Sequence, residues 1–248
     1  MRKRNLFAFS VTCLIVVLVI PSMVVYAEAA PSETLHLGAT LPFQSRLGIQ
    51  VKNILYMNAD LLNKAGGLTV GGKTYKIEYH IYDNKWQPDA ARAAIERLVF
   101  RDKIKFDVGT HGTACLLAML AVTEPNKVPI FGLTGSDKLL NPEYKYFVRT
   151  YPANFAVVGA RVLRELRPDI KTALQIAYDD ETGHAVFERI ARAYKHYGIK
   201  LFPPLYFKRG ETDFSRIATK AVSLNPDYIR GLAINIDAEY IQLIKALR

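Results

Sequence analysis

From Leu35 onward, short apolar runs alternate with amphipathic stretches of helical length, and this alternation constrains the fold more than any other feature of the 248-residue chain. Strands separated by helices cannot close as hairpins. They need crossover connections, which set the strands parallel in one sheet and place the helices on its faces. The first strand is expected over residues 35–41. A helix follows from Val51, with Val51, Ile54, Leu55, Leu61 and Leu62 on one inward face and Ala65-Gly66-Gly67 as its stop. One hairpin interrupts the pattern: residues 68–70 and 73–82 flank Gly71-Gly72, a two-residue turn that needs positive φ. A helix over 90–101, a strand ending at Phe106-Asp107-Val108, a helix from Cys115 to about Lys127, and strands at 128–131 and 146–150 complete the first half.

The plan then begins again. A helix is expected over 154–167, with Phe155, Val158, Val162, Leu163 and Leu166 inward. Strands at 172–178, 201–207 and 228–233 alternate with helices at 182–197, 214–224 and 237–247. The expected fold is α/β: two lobes of doubly wound, mostly parallel sheet. Residues 35–150 form the first lobe and 151–248 a second, partial one.

The N-terminus carries its own signal. Arg2-Lys3-Arg4 precedes an uncharged apolar run from Leu6 to Ala27, and small residues Ala27, Ala29 and Ala30 close it. That pattern reads as a secretory signal peptide over 1–27, and Pro21 within the run argues against a straight membrane anchor. Past it, Cys115 is the one remaining cysteine, so no internal disulfide forms in an oxidising compartment. The formal charge of +10 falls to +7 without Arg2, Lys3 and Arg4. No basic run with interleaved aromatics accompanies it, so the excess reads as solvated surface rather than a nucleic-acid interface.

Two turns stand out as binding places. Val108-Gly109-Thr110-His111-Gly112-Thr113-Ala114 joins a strand to a helix, and Gly132-Leu133-Thr134-Gly135-Ser136 follows the next strand. In an open parallel sheet, backbone N–H groups and positive helix ends at such turns favour an anionic group. Thr113 is placed at the N-cap, its hydroxyl pointing above the sheet; the plain alternative is that each threonine only caps its own helix. Gly109-x-x-Gly112-x-Ala114 lacks the spacing of a dinucleotide turn. Asp179-Asp180-Glu181 with His184 reads as helix-dipole complement rather than a metal cluster. His111 has no nucleophile or orienting carboxylate beside it in sequence, which makes it a pocket-lining residue rather than a base. The chain is therefore expected to be a binding protein and not an enzyme, with no cofactor and no metal.

With these elements placed, the chain resembles the type I periplasmic substrate-binding proteins, in the leucine/isoleucine/valine branch that serves ABC importers. The likeness is carried by Leu37-Gly38-Ala39 with Pro42, Leu61-Leu62-Asn63-Lys64-Ala65-Gly66-Gly67, Tyr82-Asp83-Asn84 and Val128-Pro129-Ile130. It continues through Phe147-Val148-Arg149-Thr150-Tyr151-Pro152, Tyr178-Asp179-Asp180 with Gly183, and Gly210-Glu211-Thr212-Asp213-Phe214. The resemblance implies a periplasmic or extracytoplasmic protein that binds a branched-chain or related amino acid between its lobes and hands it to a membrane permease; the alternative is a sensor that reports amino acids or amides to a signalling partner. It implies that Thr113 and Thr134 hold the ligand carboxylate and that the Gly132 carbonyl meets the ammonium. Gly112, His111, Thr182 and Asn235 join them as expected contacts, and Phe43, Gln44 or Leu47 supplies the side-chain wall. Thr182-Gly183 stands where the family usually has a tyrosine before the glycine. Trp86 and Gly112 stand where some members have a disulfide pair. Relatives run on further, and the acidic residue that meets the ammonium falls beyond Arg248, so the expectation is a fragment of a longer frame.

Overall fold

The computed structural model describes residues 33–152, 154–231 and 238–248. The expected signal peptide and Asn235 lie outside the described residues. Among those described, no helix is long and apolar enough to cross a membrane.

Strand β1 (Glu33–Leu41) runs through the middle of a six-stranded sheet of order β2-β3-β1-β4-β5-β6. Its other members are β2 (Leu68–Val70), β3 (Lys73–Asp83), β4 (Asp107–His111), β5 (Ile130–Leu133) and β6 (Phe147–Arg149). Every neighbouring pair is parallel except the β2–β3 hairpin, where Gly71 and Gly72 take φ of 58° and 79°. The chain moves outward from β1 to β3, then crosses to the other side of β1 to lay down β4. The carboxyl ends of β1 and β4 therefore diverge, which opens a crevice.

The second sheet is built on β7 (Thr172–Tyr178). It is flanked on one side by β10 (Tyr228–Gly231) and on the other by β8 (Lys200–Leu201) and β9 (Leu205–Phe207), all parallel to it. The single strand expected over 201–207 is thus two pieces. The register slips by one residue between Ala173↔Leu201 and Ile176↔Leu205, across Pro203 and Pro204, which have no N–H to give the ladder.

Helices cover both faces of each sheet. In the first, α1 (Arg46–Lys64) covers one face, where Leu37, Ala59 and Ile77 pack. Helices α2 (Pro88–Glu96) and α3 (Thr113–Thr123) lie on the other, over a core that includes Ile95, Leu98, Leu116, Met119, Leu120 and Ile130. In the second, α4 (Phe155–Leu166) and α5 (Glu181–His196) pack on one face, and α6 (Ser215–Leu224) and α7 (Ala238–Ala246) on the other.

The buried sides of α1 and α4 differ in part from the expected ones, although Phe155 and Leu163 do pack against the core of the second sheet. Gly48 and Ala59, and Ala156 and Ala160, make the close contacts, while Ile54, Leu61, Leu62, Val158, Val162 and Leu166 stay exposed. Small residues let helix axes approach neighbouring backbone, and the large apolar side chains are left on the far side. At Gly48 the approach is extreme, since a Cβ there would lie 2.0 Å from the Pro42 carbonyl oxygen. Gly183 repeats this in α5, 2.0 Å from the Tyr178 carbonyl oxygen.

Beneath the first crevice lies a buried polar network. The Thr110 hydroxyl accepts from Thr40 N–H at 3.1 Å and donates to Asp107 Oδ1 at 2.7 Å, and Asn84 Nδ2 donates to the Thr40 carbonyl at 3.1 Å. Asp107 is fully buried, and its Oδ2 has no partner. Burial pushes its carboxyl up to about 7, against the opposing pull of the Thr110 hydrogen bond. The folded state therefore holds a proton that the unfolded chain releases above its ordinary value of 3.8. Stability from this group is intact below that value, declines as pH rises through the interval, and stays reduced above about 7. Asp107→Asn, which mimics the protonated form, is expected to raise the melting temperature over wild type at pH 8. The gap should close as pH falls toward 4, with a slope of up to about 1 kcal/mol per pH unit in denaturation measured across that range.

Candidate functional site

The carboxyl ends of β4, β5 and β7 face one another, and three threonines meet there. Thr113 Oγ1 shares a hydrogen bond with Thr134 Oγ1 at 2.8 Å and another with Thr182 Oγ1 at 3.0 Å. The Thr113 backbone N–H also donates to Thr182 Oγ1, at 3.3 Å. Thr113 and Thr134 are buried. The two strand-end turns singled out in the sequence are thus joined to each other and to the second sheet.

The local geometry of the first turn departs from expectation. Strand β4 runs on to His111 through an irregularity: Val108 pairs with Phe131 and His111 with Leu133, so Gly109 and Thr110 together face Gly132. Gly109 supports the bulge with φ 87°. The turn shrinks to Gly112 alone, which is the N-cap of α3 at φ 100° with no side-chain cap. Thr113 is accordingly the first helical residue, and its hydroxyl is not spent on capping. Thr134 makes a local bond instead, accepting from Ser136 N–H at 3.0 Å.

Gly112 is needed for a second reason, since a Cβ on it would lie 2.7 Å from Trp86 Cζ3. The indole therefore packs on the bare backbone, bringing Trp86 and Gly112 into direct contact. Trp86 is aimed there by a tight turn in which Gln87 N–H donates to the Asn84 carbonyl at 2.8 Å while Lys85 and Trp86 both take positive φ, 51° and 54°. Such strain persists only when the surroundings over-determine it. Asn84 supplies that restraint: it is buried, accepts from Trp86 N–H at 3.0 Å through Oδ1, and anchors on Thr40 through Nδ2.

Arg209, on the loop after β9, sits between two rings, its guanidinium 4.3 Å from the Trp86 centroid and 3.9 Å from that of Tyr178. It also donates to Asp180 Oδ2 at 2.8 Å, while Asp180 Oδ1 caps α5 by accepting from Gly183 N–H at 2.8 Å. His111 lies at the inner wall, edge-on to Trp86 at 4.9 Å. Its Nδ1 lies 3.1 Å from the Gly109 carbonyl, to which it donates, so buried Nε2 is left as an acceptor with no partner. Burial lowers the His111 pKa, the Gly109 hydrogen bond opposes this, and the charge of Arg209 reinforces it, so the balance favours the neutral ring.

The inner chamber among Trp86, His111, Thr134, Tyr178, Thr182 and Arg209 holds only about 20 Å³. It continues into an outer cavity of about 370 Å³ that reaches Cys115, and a further one of about 560 Å³ walled by Gln44, Lys85 and Glu239. Cys115 is buried, which pushes its thiol up to about 11.

Several expected contacts lie elsewhere. The Gly132 carbonyl is taken by Thr150, from N–H at 2.9 Å and from Oγ1 at 3.2 Å, so it serves the β5–β6 edge and not a ligand ammonium. A Cβ at Gly132 would lie 2.6 Å from Leu116, which makes this glycine a packing requirement. Phe43 is off the cavity walls. Its N–H is held by Asp83 and its ring lies under Lys52 at 4.7 Å; of the three candidates for the wall, Gln44 is the one that reaches a cavity. His184 pairs with Asp179 at 2.9 Å, and Asp180 is a helix cap, as their dipole reading implies. Sequence reasoning missed Arg209, Tyr178 and Asp180 as wall residues. The Asx-type turn at Asp83-Asn84-Lys85-Trp86 was the available cue for Trp86.

The family model described as periplasmic binding protein matches residues 39–248. Among solved structures, the chain is similar to a solute binding protein of an ABC transporter from R. palustris in complex with 4-hydroxybenzoate, at TM-score 0.72 and 19% identity over 86% of this chain. A second R. palustris solute binding protein, in complex with benzoate, matches at TM-score 0.72 and 16% identity over 86% of this chain. A leucine binding protein from Thermotoga maritima MSB8 matches at 0.64 and 18% over 80%. The chain spans 57%, 59% and 56% of these three structures, respectively. At such identities the likeness is one of fold, and it agrees with the family match. The chain belongs to the periplasmic binding protein family.

Proposed function

We propose that this chain is the extracytoplasmic solute-binding component of an ABC importer, exported by the signal at 1–27, and that it captures a small organic carboxylate between lobes at 35–150 and 151–248 for delivery to a membrane permease. The observation that carries this reading is the environment of Thr182 Oγ1. The first N–H of α3 and the Thr113 hydroxyl converge on that one oxygen, at 3.3 and 3.0 Å. It stands where a carboxylate oxygen would receive both donors and the positive end of the helix. With the chamber nearly filled by these side chains, a ligand enters by separation of the two lobes and takes the place of the Thr182 hydroxyl. Arg209 supplies a cation at the same wall, and neutral His111 supplies an acceptor for a donor group on the ligand. A binding role is supported by the His111 ring, which is oriented by a backbone carbonyl and leaves Nε2 as an acceptor toward the chamber.

A branched-chain or related amino acid meets these requirements with its carboxylate and ammonium, and one structural relative is named as a leucine binding protein. A hydroxylated aromatic acid meets them as well. It is favoured by one specific observation: the wall is built from Trp86 and Tyr178, and Asp180 is engaged by Arg209 rather than open to an ammonium. Two relatives are named as complexes with benzoates.

Trp86 is the sole tryptophan of the chain, so its emission reports on the cleft directly. Titration with leucine, isoleucine, valine, benzoate and 4-hydroxybenzoate is expected to give saturable changes for one of the two classes. Thr113→Val should weaken that ligand by roughly ten- to a hundredfold, the loss of a hydrogen bond to a charged group. Emission changes with leucinamide or benzamide, but with none of the carboxylates, would overturn the reading. Gly112→Ala is expected to expel the indole from its packed position, red-shifting the emission and destabilising the fold by about 1–3 kcal/mol.

A further inference from the structure

At the end of the first sheet opposite the cleft, the β1–β3 register sets two histidines and a glutamate on one face. His36 pairs with Glu78 and Gly38 with His80, so Glu78 and His80 are two residues apart on β3 and share the face of His36. Gly38 brings no side chain between the rings. They lie 5.1 Å apart between centroids, tilted by 45°, with His36 Nδ1 and His80 Nε2 at 2.9 Å. The Glu78 carboxylate reaches both nitrogens, with Oε2 4.0 Å from His36 Nδ1 and Oε1 3.6 Å from His80 Nε2. Among the described residues, this is the one group of three whose potential ligand atoms converge, all within 4.8 Å of one another.

We propose that His36, His80 and Glu78 bind a divalent late transition ion, with Zn²⁺ as the fitting probe and a solvent-facing fourth position. Imidazole nitrogen and carboxylate oxygen are the donor set that Zn²⁺ takes at open three-residue sites. Two nitrogens bound tetrahedrally at about 2.0–2.1 Å stand about 3.4 Å apart, so the rings need to part by only about half an ångström to admit the ion. The other nitrogen of His80 supplies an independent second observation. Nδ1 lies 4.0 Å from Asp102 Oδ2, too far for a hydrogen bond but within ion-pair reach, so a carboxylate stands behind this ring as one does behind many metal-bound histidines. Asp102 is itself held in place: Tyr82 donates to its Oδ2 at 2.7 Å and Arg101 Nε to its Oδ1 at 2.9 Å. It is delivered there by the π-helical turn Arg97–Arg101 that follows α2, a local departure often found at functional sites. Five residues of strand separate His36 from the end of β1, about 16 Å, so an ion here is remote from the cleft and its binding is independent of the proposed solute role.

The test is Zn²⁺ and Co²⁺ titration of the untagged chain, followed by calorimetry, melting temperature and the visible absorption of bound Co²⁺. One ion per chain is expected, with a rise in melting temperature reversed by chelator and the ligand-field bands of a low-coordinate Co²⁺ site. Glu78→Gln, at an exposed position, should weaken binding about tenfold or more while leaving the fold intact. The double variant His36→Gln/His80→Gln should abolish the Co²⁺ bands, whereas His184→Gln should leave them unchanged. Undiminished binding in the double variant, loss of the bands in His184→Gln, or no stoichiometric binding by the parent chain would each overturn the assignment.

Discussion

The parallel pairing of β1 with β3 is the constraint from which the first sheet takes its form. Nine consecutive partners, Glu33↔Tyr75 through Leu41↔Asp83, lock the two strands in one register. A slip by a single residue would exchange the faces of every side chain on β3. Ile77 would leave the apolar face that it shares with Leu37 under α1, and Asn84 would no longer meet Thr40. The same register therefore aligns the core, the polar network beneath the crevice and the approach to Trp86. At its other end it brings His36 beside Glu78.

The crevice is held by groups that restrain one another before any ligand arrives. Asn84 anchors the strained turn that aims Trp86, Trp86 rests on Gly112, and Gly112 begins the helix whose first N–H points at Thr182. From the other side, Asp180 caps α5 and holds Arg209 against the same indole. Each contact fixes a side chain that would otherwise lose rotamer freedom on binding, which lowers the entropic cost of recognition. The matched glycines Gly48 and Gly183 serve this precision, because each lets the first turn of a helix sit directly on a strand-end carbonyl.

The alternation of strand and helix was legible because it depends on local periodicity, and Gly71-Gly72 because the turn needs residues tolerant of positive φ. Thr113 and Thr134 were legible as hydroxyls at strand ends. The contact of Thr113 with Thr182 was not, since it spans 69 residues of chain between two sheets. Arg209, between Lys208 and Gly210, belongs to no local pattern, and only the fold inserts it between two rings. The inward faces of α1 and α4 were only partly legible: Phe155 and Leu163 pack inward as hydrophobicity implies, but the fully buried positions are glycine and alanine, which periodicity of large apolar residues does not mark. The Gly132 carbonyl was assigned to a ligand by the resemblance alone; the strand at 146–150 was legible, but its pairing beside β5, which sets Thr150 on that carbonyl, is a tertiary contact that no local pattern reports.

The seating of Trp86 on Gly112 has a further consequence for how the cleft is assembled. Where a cross-link fixes this junction, its formation waits on an oxidant and on correct pairing, steps that take seconds to hours. Here the junction closes by noncovalent contacts, the indole on bare backbone with Asn84 and Arg209 in support, and needs no covalent step. Cys115, two percent exposed beneath it, has too little thiolate character to exchange with passing disulfides. The cleft can thus mature without a thiol oxidase and should keep its shape through swings in the redox poise of its surroundings.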